Sequence, residues 1–435
     1  MKNQITQDLL SFIYNSPSAF HSIFNIKNEL LKAGFIALDE FKPFILKSNQ
    51  NYFVTRNDTS IIAFKIGELN DFYSFNIASS HSDCPSFKVK PKADLNSQPY
   101  HKLNVEGYGG MLCSTWFDRP LSLAGRVITQ NNQNIQTKLI DFKKNILSIP
   151  SIPIHFNRNA NDGLTFNLSV DMFPTLGEDS LTLKEIIANE LDLNLSDILQ
   201  YDLYLYPNEK GYFWGINDEY ISSFKLDDLQ CAYTTLCGFI NSKNKHNISV
   251  YCCFDNEEVG SLTRQGADSS FLNDVLNRIS NALNKSNEEH YCALAKSFMV
   301  SADNAHAVHP NHPELTDQLN AVYMNKGIVI KSNASQSYTS DALSSTIFAR
   351  ICENAKVPFQ YFTNKSGTRG GSTLGNISAS HVSIMSVDIG IAQLAMHSIF
   401  ETSGTLDNEY MVKAITEFYN SYFDFQEDGF IKICK

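Results

Sequence analysis

Through the first forty positions, apolar residues recur at helical spacing. Leu9, Phe12, Phe20, Ile23, Ile26, Leu30 and Leu31 follow a period near 3.6 residues. Ser16-Pro17-Ser18 interrupts this pattern, so two helices are expected, with Ser16 or Ser18 able to cap the second. Gly34 is placed to end it. Between residues 51 and 76 the rhythm becomes strand-like, as in SIIAFKIG. From about 97 to 206, short β-type runs are separated by polar turns. LAGRVITQNNQNIQTKLIDF predicts a hairpin turning at 130–134. Residues 156–200 are rich in Asn and read as surface loops with one helix near 183–193. After Ser222, strand and helix patterns alternate. LDDLQCAYTTLCGFI reads as a helix, ISVYCCFDNEEVG as a strand and 271–283 as helical. SFMVSAD, IVIKSN and HVSIMSVDIG read as strands, and AQLAMHSIFET as a helix.

Strands alternating with helices predict an α/β fold whose mainly parallel sheet is covered on both faces, a three-layer α/β/α arrangement. The economical division is one discontinuous domain, 1–95 and 220–435. It is interrupted by a β-rich insertion, 96–219, large enough to carry its own core. At 435 residues, two units are the natural expectation.

Composition narrows the function classes. Hydrophobic residues at 43% and charged residues at 19% suit a globular protein. The net charge of −11 and the lack of a sizeable basic patch argue against nucleic acid as a partner. Lys88, Lys90 and Lys92 alternate on one strand face and read as solvated. No apolar run is long enough to span a bilayer, and the N-terminus lacks a signal-peptide pattern, so a cytoplasmic location is expected. The nine cysteines include no C-x-x-C, and Cys252-Cys253 lies in an apolar run, as buried small hydrophobes do.

Open α/β sheets bind ligands outside the carboxyl ends of their strands. Three expected strand ends carry His81-x-Asp83, then Asp255, Glu257 and Glu258, then Asp303 followed by His306 and His309. Asp227 and Asp228 open an expected helix, and His397 lies on another. Each motif alone has a plainer reading: His-x-Asp as a loop, Glu-Glu as a solvated run, Asp-Asp as a helix-terminal pair, His397 as a core histidine. Together they crowd carboxylates that would repel one another unless cations hold them. Imidazole and carboxylate suit divalent zinc, and a two-ion site generates a nucleophile near neutral pH. In Glu257-Glu258, one residue can bind metal while its neighbour serves as general base. H-E-x-x-H, G-x-S-x-G and P-loop motifs are absent, and GYGG at 107–110 reads as a turn.

Seven blocks, in order, resemble the aspartyl aminopeptidase family of tetrahedral zinc enzymes: ASSHSDCPSFKVKP, NVEGYGGMLCSTWFDRPLSLAGRV, LDDL, DNEEVGS, SADNAHAVHPNHPE, IKSNASQSYTSD and QLAMHSI. The resemblance covers nearly the whole chain. It implies two divalent metals, zinc first, with cobalt or manganese able to use the same ligands. His81 and His397 correspond to ligands of the two metals, Asp227 to the bridging carboxylate, and Glu258 and Asp303 to terminal ligands. Glu257 corresponds to the general base and Asp83 to the carboxylate that orients His81. Lys331, with Tyr338 in the same block, matches the pocket for an acidic N-terminal residue of a peptide. The insertion implies dimers that build a dodecamer, and His155 matches a histidine reaching a neighbouring subunit's site. The chain departs from the family at Asp228, where Asn is usual, at Pro120, where an acid is usual, and at Met111, which replaces a glycine.

The expected activity is therefore removal of an N-terminal residue, Asp or Glu preferred, from small peptides with a free amino group. A deacylase could use the same cage. A non-catalytic assembly protein could keep the fold but would be expected to lose ligands, and none of the set is missing.

Overall fold

The computed structural model describes residues 3–67, 73–97, 99–178, 181–243, 246–368, 370–371, 373–426 and 430–434. The N-terminal helices run Gln4–Tyr14 and Ala19–Lys32, with Ser16-Pro17 in the break. The Asn3 side chain accepts from the Ile5 amide and caps the first. Their apolar stripes, including Leu9, Phe12, Ile23, Ile26 and Leu30, are buried.

Among the described residues, nine strands form the central sheet. Their spatial order is Ile36–Ala37, Asn51–Arg56, Ser60–Lys65, Ile248–Phe254, Phe75–His81, Phe298–Ala302, Met385–Gly390, Ile328–Lys331 and Phe359–Phe362. The middle four, from Ile248–Phe254 to Met385–Gly390, are mutually parallel. The Ser60–Lys65 and Ile328–Lys331 strands flank them antiparallel.

Alternation explains the three layers. In Ile248–Phe254, Tyr251 and Cys253 enter one core, and Val250, Cys252 and Phe254 the other. The first core is covered by helices Leu226–Asn241, Ala342–Ala355 and Asp407–Asn420, the second by Phe271–Ala282, Asn287–Ala295 and Leu374–Ala379. Cys252 and Cys253 thus face opposite sides of the sheet. Both are free and buried. No helix among the described residues is long and apolar enough to cross a membrane.

The β-rich unit is a six-stranded antiparallel sheet ordered Asn134–Asp141, Leu121–Asn131, Ile198–Pro207, Ser86–Ser97, Tyr100–Tyr108 and Thr175–Gly177. Its hairpin pairs Asn131 with Asn134. Its separate core packs Trp116, Leu123, Val127, Leu203 and Leu205 with Leu183 and Ile187 of the Leu183–Leu191 helix. The boundary drawn at residue 95 falls inside the Ser86–Ser97 strand, whose Phe87 and Val89 belong to this second core.

One expected element takes another form. AQLAMHSIFET folds as strand Ala392–Leu394, a turn, and strand Glu401–Gly404. Ala395 and His397 have φ of 55° and 67°, in the left-handed region, which a helix cannot contain. The two strands pair with each other, and Ala392–Leu394 also pairs with Ala305–His306. Tertiary pairing overrides the helix-forming composition of Gln393, Leu394, Ala395 and Met396.

Candidate metal centre

His81 is the last residue of the Phe75–His81 strand. Asp303 follows Phe298–Ala302, and Asp255 follows Ile248–Phe254. Past Asp255 the chain turns through Asn256, at φ 63°, into a short 3-10 segment, Glu257–Val259. The parallel strands thus aim all of these groups at one rim, the switch-point arrangement of α/β sheets. Asp227 and Asp228 depart from helical φ/ψ at the start of Leu226–Asn241, so regular helix begins only after them. Their peptide bond is cis.

Three groupings of ligand-type side chains result: His81 with Asp227, Asp228 and Asp303; His81 with Glu257 and Glu258; and Asp227 with Glu258 and His397. Asp227 lies between the two histidines. His81 Nε2 is 3.6 Å from its Oδ1, and His397 Nε2 is 3.6 Å from its Oδ2. His397 Nε2 is also 3.4 Å from Glu258 Oε2. Asp228 is turned differently: its Oδ2 accepts from the His81 amide at 3.2 Å.

The other ring nitrogens are occupied. His81 Nδ1 donates to the Asp83 carbonyl at 3.0 Å, and His397 Nδ1 to the Gly110 carbonyl at 2.8 Å. With Nδ1 donating, each Nε2 is the nitrogen on which a metal would replace a proton. The Asp83 carboxylate accepts the amides of Glu257 at 3.1 Å and Glu258 at 3.2 Å, and thereby holds the turn that carries them.

The electrostatics call for a cation. Burial, with the neighbouring acids Asp303, Asp83 and Asp227, pushes Glu257 up to about 8 against the pull of His81. Burial likewise raises Asp303 to about 6, although Lys331 opposes it. Burial and Asp227 raise Glu258 far above the ordinary carboxylate range. Asp227 moves down: burial opposes ionisation, but His81, His397 and Lys331 outweigh it. Asp227 Oδ1 and Glu258 Oε1 are buried without a hydrogen-bond partner among the described residues. Orphaned oxygens facing imidazole Nε2 atoms, inside mutually repelling carboxylates, fit divalent metal ions.

Lys331 ends the Ile328–Lys331 strand and is buried. Its Nζ donates to the carbonyls of Asp303 (2.8 Å) and Asn304 (3.3 Å), stands 3.8 Å from Asp303 Oδ2, and lies 5.1 Å over the Tyr338 ring. Burial lowers its pKa, but Asp303, Tyr338 and Asp388 more than reverse that, so it stays charged. His155 joins none of the ligand groupings among the described residues and sits in an exposed turn of the insertion. His306 and His309 join none of the ligand groupings among the described residues.

Two contributors escaped sequence reasoning. Glu401 Oε2 accepts the Asp227 amide at 2.8 Å and Oε1 accepts the His397 amide at 2.7 Å, so one carboxylate links both. It was hidden in the supposed helix. Gly110 lies in a glycine-rich turn, and no local signal marks its carbonyl as the partner of His397.

A cage of imidazoles and carboxylates at the carboxyl ends of parallel strands could hold metal ions, as a metallohydrolase requires. The family model described as "Aminopeptidase I zinc metalloprotease (M18)" matches residues 12–419, and the chain belongs to this family of zinc aminopeptidases. It is 46% identical to the probable M18 family aminopeptidase 2 of Clostridium acetobutylicum, over 97% of this chain and 100% of that one. Identity to the Ectopseudomonas mendocina protein of the same description is 38%, over 97% and 99%. Among solved structures, it is similar to a chain in the cryo-EM structure of the Ape4 and Nbr1 complex, with TM-score 0.92, 32% identity, and 96% and 85% coverage of the two chains. It is also similar to the S. cerevisiae mApe1 dodecamer, with TM-score 0.84, 25% identity and 96% coverage of both chains.

Proposed function

We propose that this metallo-aminopeptidase releases an acidic residue, Asp or Glu, from the free N-terminus of peptides, using two divalent metal ions. The observation that carries the reading is the placement of Asp227, whose two oxygens each face the Nε2 of a different histidine. His81 and Asp303 would hold one ion and His397 and Glu258 the other, and Asp227, rather than Asp228, would be shared between them. Zinc is the metal of the family description; cobalt or manganese suit the same donors. Bound there, such ions polarise the scissile carbonyl and acidify water.

The protein's own part is positional and acid–base. Glu257, set by the amide-to-Asp83 bond, takes the proton of the attacking water at its carboxylate and returns it to the leaving amine. Asp83 orients His81 and the Glu257–Glu258 turn together. Lys331, beside Tyr338, meets the acidic side chain of the substrate. A polar cavity lined by Ser332, Asn333, Ser337, Asn364 and Lys365 adjoins this strand end.

The insertion supports homo-oligomer formation, dimers building a dodecamer. Phe156 is 85% exposed, and Ile152, Ile154 and Val170 are exposed nearby in sequence, an unusual concentration for a free surface. A partner subunit covering that region would carry His155 toward a neighbouring site.

Release from Asp-, Glu-, Leu- and Ala-anilides, with zinc, cobalt or manganese, tests the reading. Asp and Glu are expected to be cleaved fastest. No release from any of them refutes the peptidase reading. Leu cleaved as fast as Asp refutes only the acidic preference. An N-acetylated substrate cleaved faster than the free amine points to a deacylase instead.

A further inference from the structure

The GYGG stretch at 107–110 belongs to the insertion, yet it reaches both halves of the metal centre. Tyr108 ends the Tyr100–Tyr108 strand, pairs with Ser86, and packs edge-on against Tyr204 of the insertion sheet at 5.6 Å. Its hydroxyl donates to Asp83 Oδ2 at 2.7 Å and accepts from Asn256 Nδ2 at 2.7 Å. Asp83 receives the amides of Glu257 and Glu258. Asn256, held in turn by Thr263 and Gln265, opens the turn that carries them. One phenol therefore clamps that turn from two directions.

The next residues reach Glu258 and His397. Gly109 has φ +74°, and a Cβ there would lie 3.2 Å from Glu258 Cβ and 3.4 Å from Pro85 Cα, so glycine lets the chain pass close against Glu258. The Gly110 carbonyl takes the His397 Nδ1 proton. The Leu112 amide donates to the His397 carbonyl at 2.9 Å, and the Ile399 amide to Thr115 Oγ1 at 3.0 Å. The left-handed turn that presents His397 is thus tied to the insertion through three hydrogen bonds.

We infer that Tyr108, with the adjoining Gly109–Gly110 segment, is a positioning element supplied by the insertion, which sets the Asp83-held turn of Glu257 and Glu258 and the turn of His397 in register. The inference rests on the two-metal reading above and extends it to a residue outside the ligand set. Groups that orient metal ligands typically contribute 10–100-fold in metal affinity or activity.

Tyr108→Phe removes only the hydroxyl and keeps the ring on Tyr204. Tyr201→Phe is the control: that hydroxyl bonds the Lys90 and Pro91 carbonyls inside the insertion, away from the site. Zinc affinity, read by competition with a chromophoric chelator, is compared with kcat and KM on an Asp-anilide at saturating zinc. Tyr108→Phe is expected to lose about 10-fold or more in zinc affinity and in kcat, with KM nearly unchanged. Tyr201→Phe is expected to match the wild type in all three, and Gly109→Ala to move in the same direction as Tyr108→Phe. Wild-type zinc affinity and kcat in a folded Tyr108→Phe, or equal losses in Tyr201→Phe, overturn the inference. If the wild-type chain binds zinc but cleaves no anilide, the peptidase reading falls, and the zinc comparison alone decides this one.

Discussion

Lys331→Met separates two roles that a single ammonium could play. Its Nζ is 3.8 Å from Asp303 Oδ2. At an effective dielectric near 20, that pair is worth at most about 4 kcal/mol before desolvation is counted. It also bonds the Asp303 and Asn304 carbonyls, each of which costs roughly 1–3 kcal/mol if left buried and unpaired. Removing the charge therefore disturbs Asp303 whatever the substrate, and a common loss in kcat/KM is expected for all anilides. An acidic substrate loses a charge-assisted contact as well, about 1.5–3 kcal/mol. At about 1.4 kcal/mol per decade, that is an additional factor of roughly 10–150. The measurement is the ratio of kcat/KM for Asp- over Ala-anilide in wild type and variant, at saturating zinc. The ratio should fall at least tenfold while the Ala rate falls less. A ratio that stays within a factor of two while both rates drop would show that Lys331 serves Asp303 alone, and the specificity argument would fail.

Glu257→Gln keeps the size of the side chain but cannot hold the proton. Turnover should fall by about 10²–10⁴, with zinc content measured by atomic absorption unchanged; residual activity within tenfold of wild type would exclude Glu257 as the base. Asp407 supplies a test of pH dependence remote from the metal centre. Burial pushes it up to about 7, opposed by the Gly327 and Asn325 amides and by Lys326. Because its folded pKa lies above the ordinary 3.8, the folded chain keeps a proton that the unfolded chain has lost between about pH 4 and 7. Wild-type stability relative to Asp407→Asn should therefore fall as pH rises through that window and level off above it. The Tm gap between the two proteins, followed by differential scanning fluorimetry, tests this; a flat gap, or one that grows in favour of wild type, contradicts it.

How far the fold could be read depended on where each residue finds its partners. The Ile248–Phe254 strand was legible because both its faces are buried, so the sequence is a continuous apolar run ending in acids. His81, Glu257, Glu258 and Asp303 were legible for the same reason, since each stands just where such a run stops. The turn bearing His397 was not. Gln393, Leu394, Ala395 and Met396 are good helix formers, whereas Gln393 and Glu401 are buried polar residues with partners far along the chain in Asn304 and Asp227. The edge of the β-rich unit is hard to read because FKVKPK alternates like any edge strand. Only its pairing with Ile198–Pro207 and Tyr100–Tyr108 shows which sheet Phe87 and Val89 serve. Tyr108 and Gly110 carry no local mark of their role, because both act through residues brought near by the closing of two separate cores.

The strand order has a consequence during synthesis. Phe75–His81 sits between Ile248–Phe254 and Phe298–Ala302, so its first neighbour in the sheet is made about 170 residues after it. At roughly 5–20 residues per second, that strand waits on the order of 10–30 s on the ribosome with both hydrogen-bonding edges unsatisfied, while the whole insertion emerges and can close its own core first. Half of a nascent molecule is then folded around a segment still searching for its sheet. Slower elongation through the insertion lengthens the exposure of an apolar strand with open edges, the condition under which strands from different chains pair with one another.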